Sequence, residues 1–437
     1  QHGGASGSWA AGGPCEPLEK RLRGEGSAAL GATHAMHSVA AESLHRLPQG
    51  VVPMHSTLQL HPQQPECLEP SRLPPAQPAS ARMCPSVTYR FEQALGKGSY
   101  GVVYRATVAN TGRPVAIKAV KHTMGELNLE DQVLRRLRMS PNVVTLLGAF
   151  ATGPRVDHTL HLVMELLPDN LHRIIKHHRQ AAMWMDTRYV CLYMYQLMRG
   201  LASLERFRVV HRDLKPANLL VDPPTHTLKI CDFGTSKTVD LAGHADNQPY
   251  VCSRYYRAPE LILSAPEYGT AVDLWSAGCV LAEMLIGQPL FAGRDGVDQL
   301  GQIVDILGTP TPREFYLMNP KYDASVSFGV RVSPLPWHRV LQRDVGTEVI
   351  EMLSQLLKYD PLLRPQPLAC MAAPLFDALR RSAAQLDPAL FDLLPEELDE
   401  CKQPAARERL AAAAGAAKQR RLRDAASPGS LAWGAYG

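Results

Sequence analysis

His211-Arg212-Asp213-Leu214-Lys215-Pro216-Ala217-Asn218 sets an acid, two permanent cations and an amide within eight residues. A carboxylate such as Asp213 can accept or orient a hydroxyl proton. Lys215, two residues on, can meet negative charge as it develops on a transferred phosphoryl group. Asn218, five residues after Asp213, can bind a Mg2+ ion. Asp232-Phe233-Gly234 adds a second carboxylate able to bridge Mg2+ to phosphate, and Ala258-Pro259-Glu260 closes the segment. Upstream, Gly96-Lys97-Gly98-Ser99-Tyr100-Gly101 spaces three glycines so that backbone can lie over phosphates that side chains would hold away. Val115-Ala116-Ile117-Lys118 follows, and Lys118 can neutralise α- and β-phosphates if a carboxylate holds its long chain in place. Glu130, twelve residues later, suits that task, with Glu126 one turn earlier as the competing choice. Any one of these strings arises by chance. All of them in this order and spacing point to phosphoryl transfer from a nucleotide.

Such chemistry needs elements to hold it. The glycines fit a hairpin rather than a dinucleotide fold, which requires a following helix and an acid about 20 residues on. Here Val102–Ala106 reads as a second strand and position 121 is Lys. Strand-like segments run from Val87 to about Lys121, and a helix is predicted around Glu126–Arg138. Two apolar strands follow at Val143–Phe150 and Thr159–Leu166. After that helices dominate: Val190, Met194, Leu197, Leu201 and Leu204 keep the spacing of one buried helical face. The expectation is an α+β, bilobal fold, with a small β-rich N-lobe over 85–168 and a larger α-helical C-lobe over 169–399.

The whole chain has 437 residues, 45% hydrophobic, and a net charge of +4 from 46 Lys+Arg against 42 Asp+Glu. That balance argues against nucleic acid or an acidic membrane surface as a partner. Residues 1–84 are rich in Gly, Ala, Ser, His, Gln and Pro without apolar period, and are predicted to be a disordered, low-complexity tail. His34 and His37 read as scattered tail histidines rather than metal ligands. Residues 400–437 form an Ala/Arg-rich tail in which Lys418, Arg420, Arg421 and Arg423 read as a solvated helix end, with a nuclear-import signal as the second reading. Nine cysteines, without a C-x-x-C pair, argue against a disulfide scaffold or a structural zinc site, and for a reducing cytoplasmic or nuclear compartment. The first 30 residues show no charged-then-apolar leader. Leu274–Gly293 is the most apolar stretch, but Glu283 and Gly287-Gln288-Pro289 interrupt it, so a buried helix is expected rather than a membrane span.

From about Tyr89 to Phe376 the motifs resemble the eukaryotic protein kinase superfamily, and Lys215 two residues after Asp213 is its serine/threonine pattern. Tyr250-Val251-Cys252-Ser253-Arg254-Tyr255-Tyr256-Arg257, Val272-Asp273-Leu274-Trp275-Ser276, Gly296-Val297-Asp298-Gln299-Leu300 and Met318-Asn319-Pro320 are similar to the glycogen synthase kinase-3 (shaggy-like) family. The alternative is a mitogen-activated or cyclin-dependent kinase. Val163–Leu167 followed by Asp169-Asn170-Leu171 has a mitogen-activated character, yet no Thr-x-Tyr pair precedes Ala258, and Glu130 lacks a cyclin-binding sequence around it. A non-catalytic kinase-fold scaffold is disfavoured because Lys118, Asp213, Asn218 and Asp232 are all present.

The resemblance implies a protein kinase that uses ATP and Mg2+ on Ser or Thr of protein substrates. It implies that Gly96, Gly98 and Gly101 cover the phosphates, and that Val103, Ala116 and Leu220 sandwich adenine. The Glu165–Leu167 backbone would bond the adenine edge, Met164 would limit the back pocket, and Asn218 and Asp232 would hold the metal. Ser253 would bond Asp213 and Lys215, and Arg364 would pair with Glu260. Tyr250 would be a regulatory phosphotyrosine made by the kinase itself, with Arg254 and Arg257 able to pair its phosphate. The family recognises substrates already phosphorylated four residues C-terminal to the target, through three basic residues. Two map onto Arg212 and Lys237; the third position is Leu129, and Gly125–Asn128 lack the basic neighbours typical there. Weakened preference for primed substrates is therefore expected. An Arg-rich inhibitory Ser motif is not evident near the start. The helix after Gly293 and the loop near Asn319–Tyr322 would form a scaffold-docking surface.

Overall fold

A computed structural model describes residues 57–58, 87–98, 101–123, 128–154, 157–239, 252–321, 331–381 and 388–426. The readings placed on His34, His37, Glu126, Tyr250 and Tyr322, and on residues 1–84 apart from 57–58, lie outside them. A six-stranded antiparallel sheet forms the N-lobe, from β1 (Thr57–Leu58), β2 (Tyr89–Gly98), β3 (Gly101–Val108), β4 (Pro114–Thr123), β5 (Leu146–Thr152) and β6 (Asp157–Glu165). Its order is β1-β2-β3-β4-β6-β5. The register sets Gly98 opposite Gly101, Val103 opposite Lys118 and Ala116 opposite Met164. Three pairs of predicted site residues therefore share the cleft end of the sheet. Ala106, Val115, Ile117 and Val163 form this lobe's own buried cluster.

Helix α1 (Leu129–Arg136) starts where Asn128 accepts the Asp131 N–H, and it carries Glu130 and Asp131 in its first turn and Arg135 and Arg136 in its last. Cap and charges both follow the helix dipole. The helix is shorter than the Glu126–Arg138 expected from sequence, because that cap fixes its start. Glu130, Val133 and Leu134 are its buried residues.

The C-lobe begins with β7 (Asp169–Asn170), α2 (Leu171–Gln180) and α3 (Thr187–Arg206), then β8 (Val209–Val210), β9 (Leu219–Asp222), β10 (Thr227–Ile230) and β11 (Lys237–Thr238). It continues through α4 (Ala271–Ile286), α5 (Gly296–Leu307), α6 (Thr347–Leu356) and α7 (Pro404–Ala426), with shorter helices between. The predicted face of α3 is buried: Val190, Met194, Leu197, Leu201 and Leu204 all lie in the main core. The apolar stretch expected as a buried helix is α4, which is buried from Val272 to Ile286 and ends at Gly287, whose φ of 77° closes the last turn. Among the described residues no helix is long and apolar enough to cross a membrane.

A backbone tie holds the lobes in register beside the cleft. Val143 bridges Ile230 in parallel, and Val144 N–H donates to the Ile230 carbonyl at 2.9 Å, so the approach to β5 is tied to the strand that leads into Asp232. Helix α7 lies on the C-lobe surface through buried Ala406, Leu410 and Ala417, with Arg409 donating to the Ala372 carbonyl and Arg421 pairing with Asp392. The Ala/Arg-rich tail thus contains a helix docked by Leu410 between alanines, whose small side chains permit close approach.

Candidate active site

Lys118 Nζ lies 2.7 Å from both Glu130 oxygens and 2.7 Å from Asp232 Oδ1. Both Lys118 and Glu130 are only 5% exposed. Burial pulls Lys118 down, but the charges of Glu130 and Asp232 outweigh it and leave the ammonium above its ordinary pKa. Burial pushes Glu130 up and prevails. Burial also opposes ionisation of Asp232, yet the Lys118 charge overrides it and holds that carboxyl below its usual range. A buried ammonium between two carboxylates is fixed in place, which answers the entropy problem of a long side chain. Glu130 is thus the described partner of Lys118.

Four hydrogen bonds converge on the Asp213 carboxylate. Ser253 donates its N–H at 2.9 Å and its hydroxyl at 2.8 Å to Oδ1, while Lys215 Nζ at 2.6 Å and Asn218 Nδ2 at 3.1 Å donate to Oδ2. Lys215 also donates to Ser253 Oγ at 2.9 Å, and Asn218 Nδ2 to the Asp213 carbonyl at 2.8 Å. Backbone strain collects around this group: Arg212, Asp232 and Cys252 adopt φ of 64°, 65° and 75°. Left-handed backbone at non-glycine residues persists only where surroundings enforce it. Here buried Asp273 accepts the N–H groups of His211 (2.7 Å) and Arg212 (3.0 Å), and His211 bonds the Cys231 carbonyl at 2.9 Å.

Between the lobes lies a cavity of about 430 Å³. Gly96, Gly98, Gly101, Val103, Ala116, Lys118, Glu130, Met164, Glu165, Leu167, Leu220, Asn218 and Asp232 all line it. Its size and apolar slot suit a nucleotide base. The glycines differ in kind. A Cβ on Gly96 or Gly98 would meet open space, so only a ligand would demand their absence of side chain. Gly101 has φ of +135°, and a Cβ there would fall 2.2 Å from the Ala119 carbonyl oxygen, so its glycine serves the chain itself. Asn218 donates through its nitrogen, which leaves its amide oxygen, with the Asp232 carboxylate, as hard oxygen donors lining the same cavity. A Mg2+ site that relies on phosphates and water for its remaining ligands fits such a set.

The basic residues are placed more variously. Arg212 donates to the Thr235 carbonyl at 2.6 Å and the Tyr268 hydroxyl at 3.1 Å. Lys237 lies on β11, paired with β8. Arg254 donates to the Arg294 carbonyl, and buried Arg257 to the Cys252 carbonyl at 2.8 Å. Glu260 and Arg364 form a fully buried bidentate pair at 2.5 and 2.8 Å, with the guanidinium 5.2 Å from the Trp275 ring centroid. In the region expected to dock a scaffold, Asn319 is buried and donates to the Leu263 carbonyl at 2.8 Å, so its amide is a structural tie, whereas Val297 on α5 is 85% exposed.

Sequence reasoning left Asp273, Val144 and Cys231 without a role. Asp273 holds the backbone of His211 and Arg212, and Val144 and Cys231 line the cavity. Asp273 could have been suspected as an acid in the first turn of a mostly apolar helix; the other two carry no signal beyond hydrophobicity. A family model described as the protein kinase domain matches residues 89–376, about two thirds of the chain. With a β-sheet lobe and a helical lobe enclosing the motif residues in one cleft, the chain belongs to the protein kinase domain family.

Proposed function

We propose that this chain is a serine/threonine protein kinase of the glycogen synthase kinase-3-like type, transferring the γ-phosphoryl of ATP to Ser or Thr hydroxyls of protein substrates. The observation that carries the reading is the Asp213–Lys215–Ser253 triangle, in which all three side chains are mutually bonded. Asp213 orients the acceptor hydroxyl and takes its proton. Lys215 meets the charge that develops on the transferred group. Lys118, fixed by Glu130, anchors the non-transferred phosphates, and the backbone at Gly96 and Gly98 covers them. Asn218 and Asp232 hold Mg2+, which when bound neutralises phosphate charge. Val103, Ala116 and Leu220 sandwich adenine, with the Glu165–Leu167 backbone at its edge. The Glu165 N–H already donates to the Thr145 carbonyl at 3.2 Å, which leaves the Glu165 carbonyl for that edge. Most of the rate enhancement then comes from positioning and electrostatics.

Recognition of a primed substrate is weakened in this reading. Leu129, at the start of α1 and 45% exposed, stands where a third basic residue would join Arg212 and Lys237. Losing one charge-assisted phosphate contact costs about 1.5–3 kcal/mol. Tyr250 is the regulatory phosphotyrosine, with Arg254 and Arg257 as its phosphate partners, and the α5 surface around Val297 is the scaffold-docking candidate. Matched Ser, Thr and Tyr peptides, each with and without a phosphoserine four residues C-terminal, test the function. The expected outcome is Ser/Thr phosphorylation with a primed advantage below about a hundredfold, or about 2.7 kcal/mol. Preference for Tyr would overturn the hydroxyl class, and a larger primed advantage would overturn the weakened priming.

A further inference from the structure

Helix α2 carries His172, Arg173, Lys176, His177, His178 and Arg179, and no acid. Its packed side consists of Leu171, Ile174 and Ile175, while His172, Arg173, Lys176, His177 and Arg179 are exposed. The Arg179 charge suits the negative end of the helix dipole, but Arg173 stands in the first turn, where the dipole disfavours a cation. Asp169, just before the helix, reaches Arg173 only at 3.9 Å, and Lys176 has no acid within ion-pair reach among the described residues. Among the described residues the Arg173 and Lys176 charges thus make no ion pair closer than 3.9 Å. At its start the helix opens on a second cleft of about 410 Å³ beside Asp213, where His172 joins Lys215 and Arg254 and no lining residue is a carboxylate.

We propose that the exposed face of α2, together with this cleft, binds an acidic stretch of the protein substrate flanking the target hydroxyl. The proposal rests on the protein-kinase reading of the site. A ten-residue helix is about 15 Å long, which an extended peptide covers with about five residues. The acidic side chains therefore fall within about five residues of the acceptor. A nucleic acid is the competing occupant; α2 carries no Phe, Tyr or Trp for base stacking, and Tyr255 in the cleft is the exposed ring of that kind among its lining residues.

The test uses the full chain and two Ser-centred peptides, one flanked on both sides by five Glu and one by five Gln. Turnover is measured alongside fluorescence anisotropy of the labelled peptides. The Glu peptide should show a KM about tenfold lower with unchanged kcat, and the gap should shrink as salt rises, since these are exposed charges. The double variant Arg173→Glu/Lys176→Glu should abolish the gap and leave turnover of the Gln peptide unchanged. Equal KM values, or a variant that harms both peptides alike, would overturn the proposal, as would an oligonucleotide that displaces the Glu peptide as well as unlabelled peptide does. If anisotropy shows the Glu preference while neither peptide is phosphorylated, the surface stands and the kinase assignment of substrate falls.

Discussion

Replacing Glu130 with Gln probes the buried Lys118 centre with little change of shape. At 2.7 Å and an effective dielectric of about 20, the attraction between Glu130 and Lys118 is about 6 kcal/mol before desolvation is counted. Gln keeps one oxygen for Nζ but loses the charge and the second contact. Lys118 then leans on Asp232, which lies 2.7 Å away and is the proposed metal ligand. We expect a loss of about 2–3 kcal/mol in transition-state stabilisation, a fall of roughly 30- to 150-fold in kcat/KM. Global stability should shift far less, because the amide also removes the cost of burying a carboxylate. Glu130 is a positioning residue, and it acts through Lys118. In a double-mutant cycle, Glu130→Gln added to Lys118→Met should therefore cost almost nothing further. The assay is steady-state phosphorylation with varied ATP, beside a denaturant titration of each variant. Activity within threefold of the parent, or additive losses in the cycle, would refute the reasoning. So would an activity loss matched by unfolding.

Gly101→Ala should lower stability by about 1–3 kcal/mol through its left-handed backbone and the Ala119 carbonyl, whereas Gly96→Ala should leave Tm unchanged and raise the KM for ATP; thermal melts and kinetics separate the two. Arg364→Ala should cost about 3–5 kcal/mol by stranding buried Glu260, read as a shift in denaturant midpoint, and a smaller cost in Arg364→Met/Glu260→Leu would show that the stranded charge is responsible. Burial pushes Glu283 up to about 7, although the Tyr256 hydroxyl at 2.6 Å pulls the other way. Its folded pKa is above its unfolded value, so its contribution is fully present below about 4.5 and is lost as pH rises through 7. Glu283→Gln should therefore gain on the parent between pH 5 and pH 8 by on the order of 3 kcal/mol, and parallel stability curves would exclude that burial effect. Ser253→Ala, which removes one bond to Asp213 and one from Lys215, should reduce kcat about 10- to 100-fold with ATP binding intact.

Much of the candidate site is legible in the sequence, and the reason differs from residue to residue. The pairing of Lys118 with Glu130 followed from spacing, since a strand and the next helix allow few alternatives. The α3 face followed from helical period. By contrast, the need for Gly101 comes from the Ala119 carbonyl of a neighbouring strand, and the glycine motif does not distinguish it from Gly96 or Gly98. The docking of α7 is not legible because Leu410 is flanked by Ala406 and Ala417, and alanine carries little hydrophobic signal. Asn319, assigned by resemblance to a docking loop, turned out to tie two C-lobe segments together.

The amino-acid sequence by itself determined the kinds of chemistry available: acids, cations and glycines in an order that suits phosphoryl transfer, and the alternation of strand and helix needed to carry them. Those are local properties, set by residue type and period. Tertiary structure decided which atoms meet. Lys118 reaches Asp232 across 114 residues and Arg364 reaches Glu260 across 104. Asp273 takes two backbone donors from a segment about 60 residues away. Such contacts arise only when packed elements place distant side chains within hydrogen-bond range, and burial then sets how strongly each charge is felt.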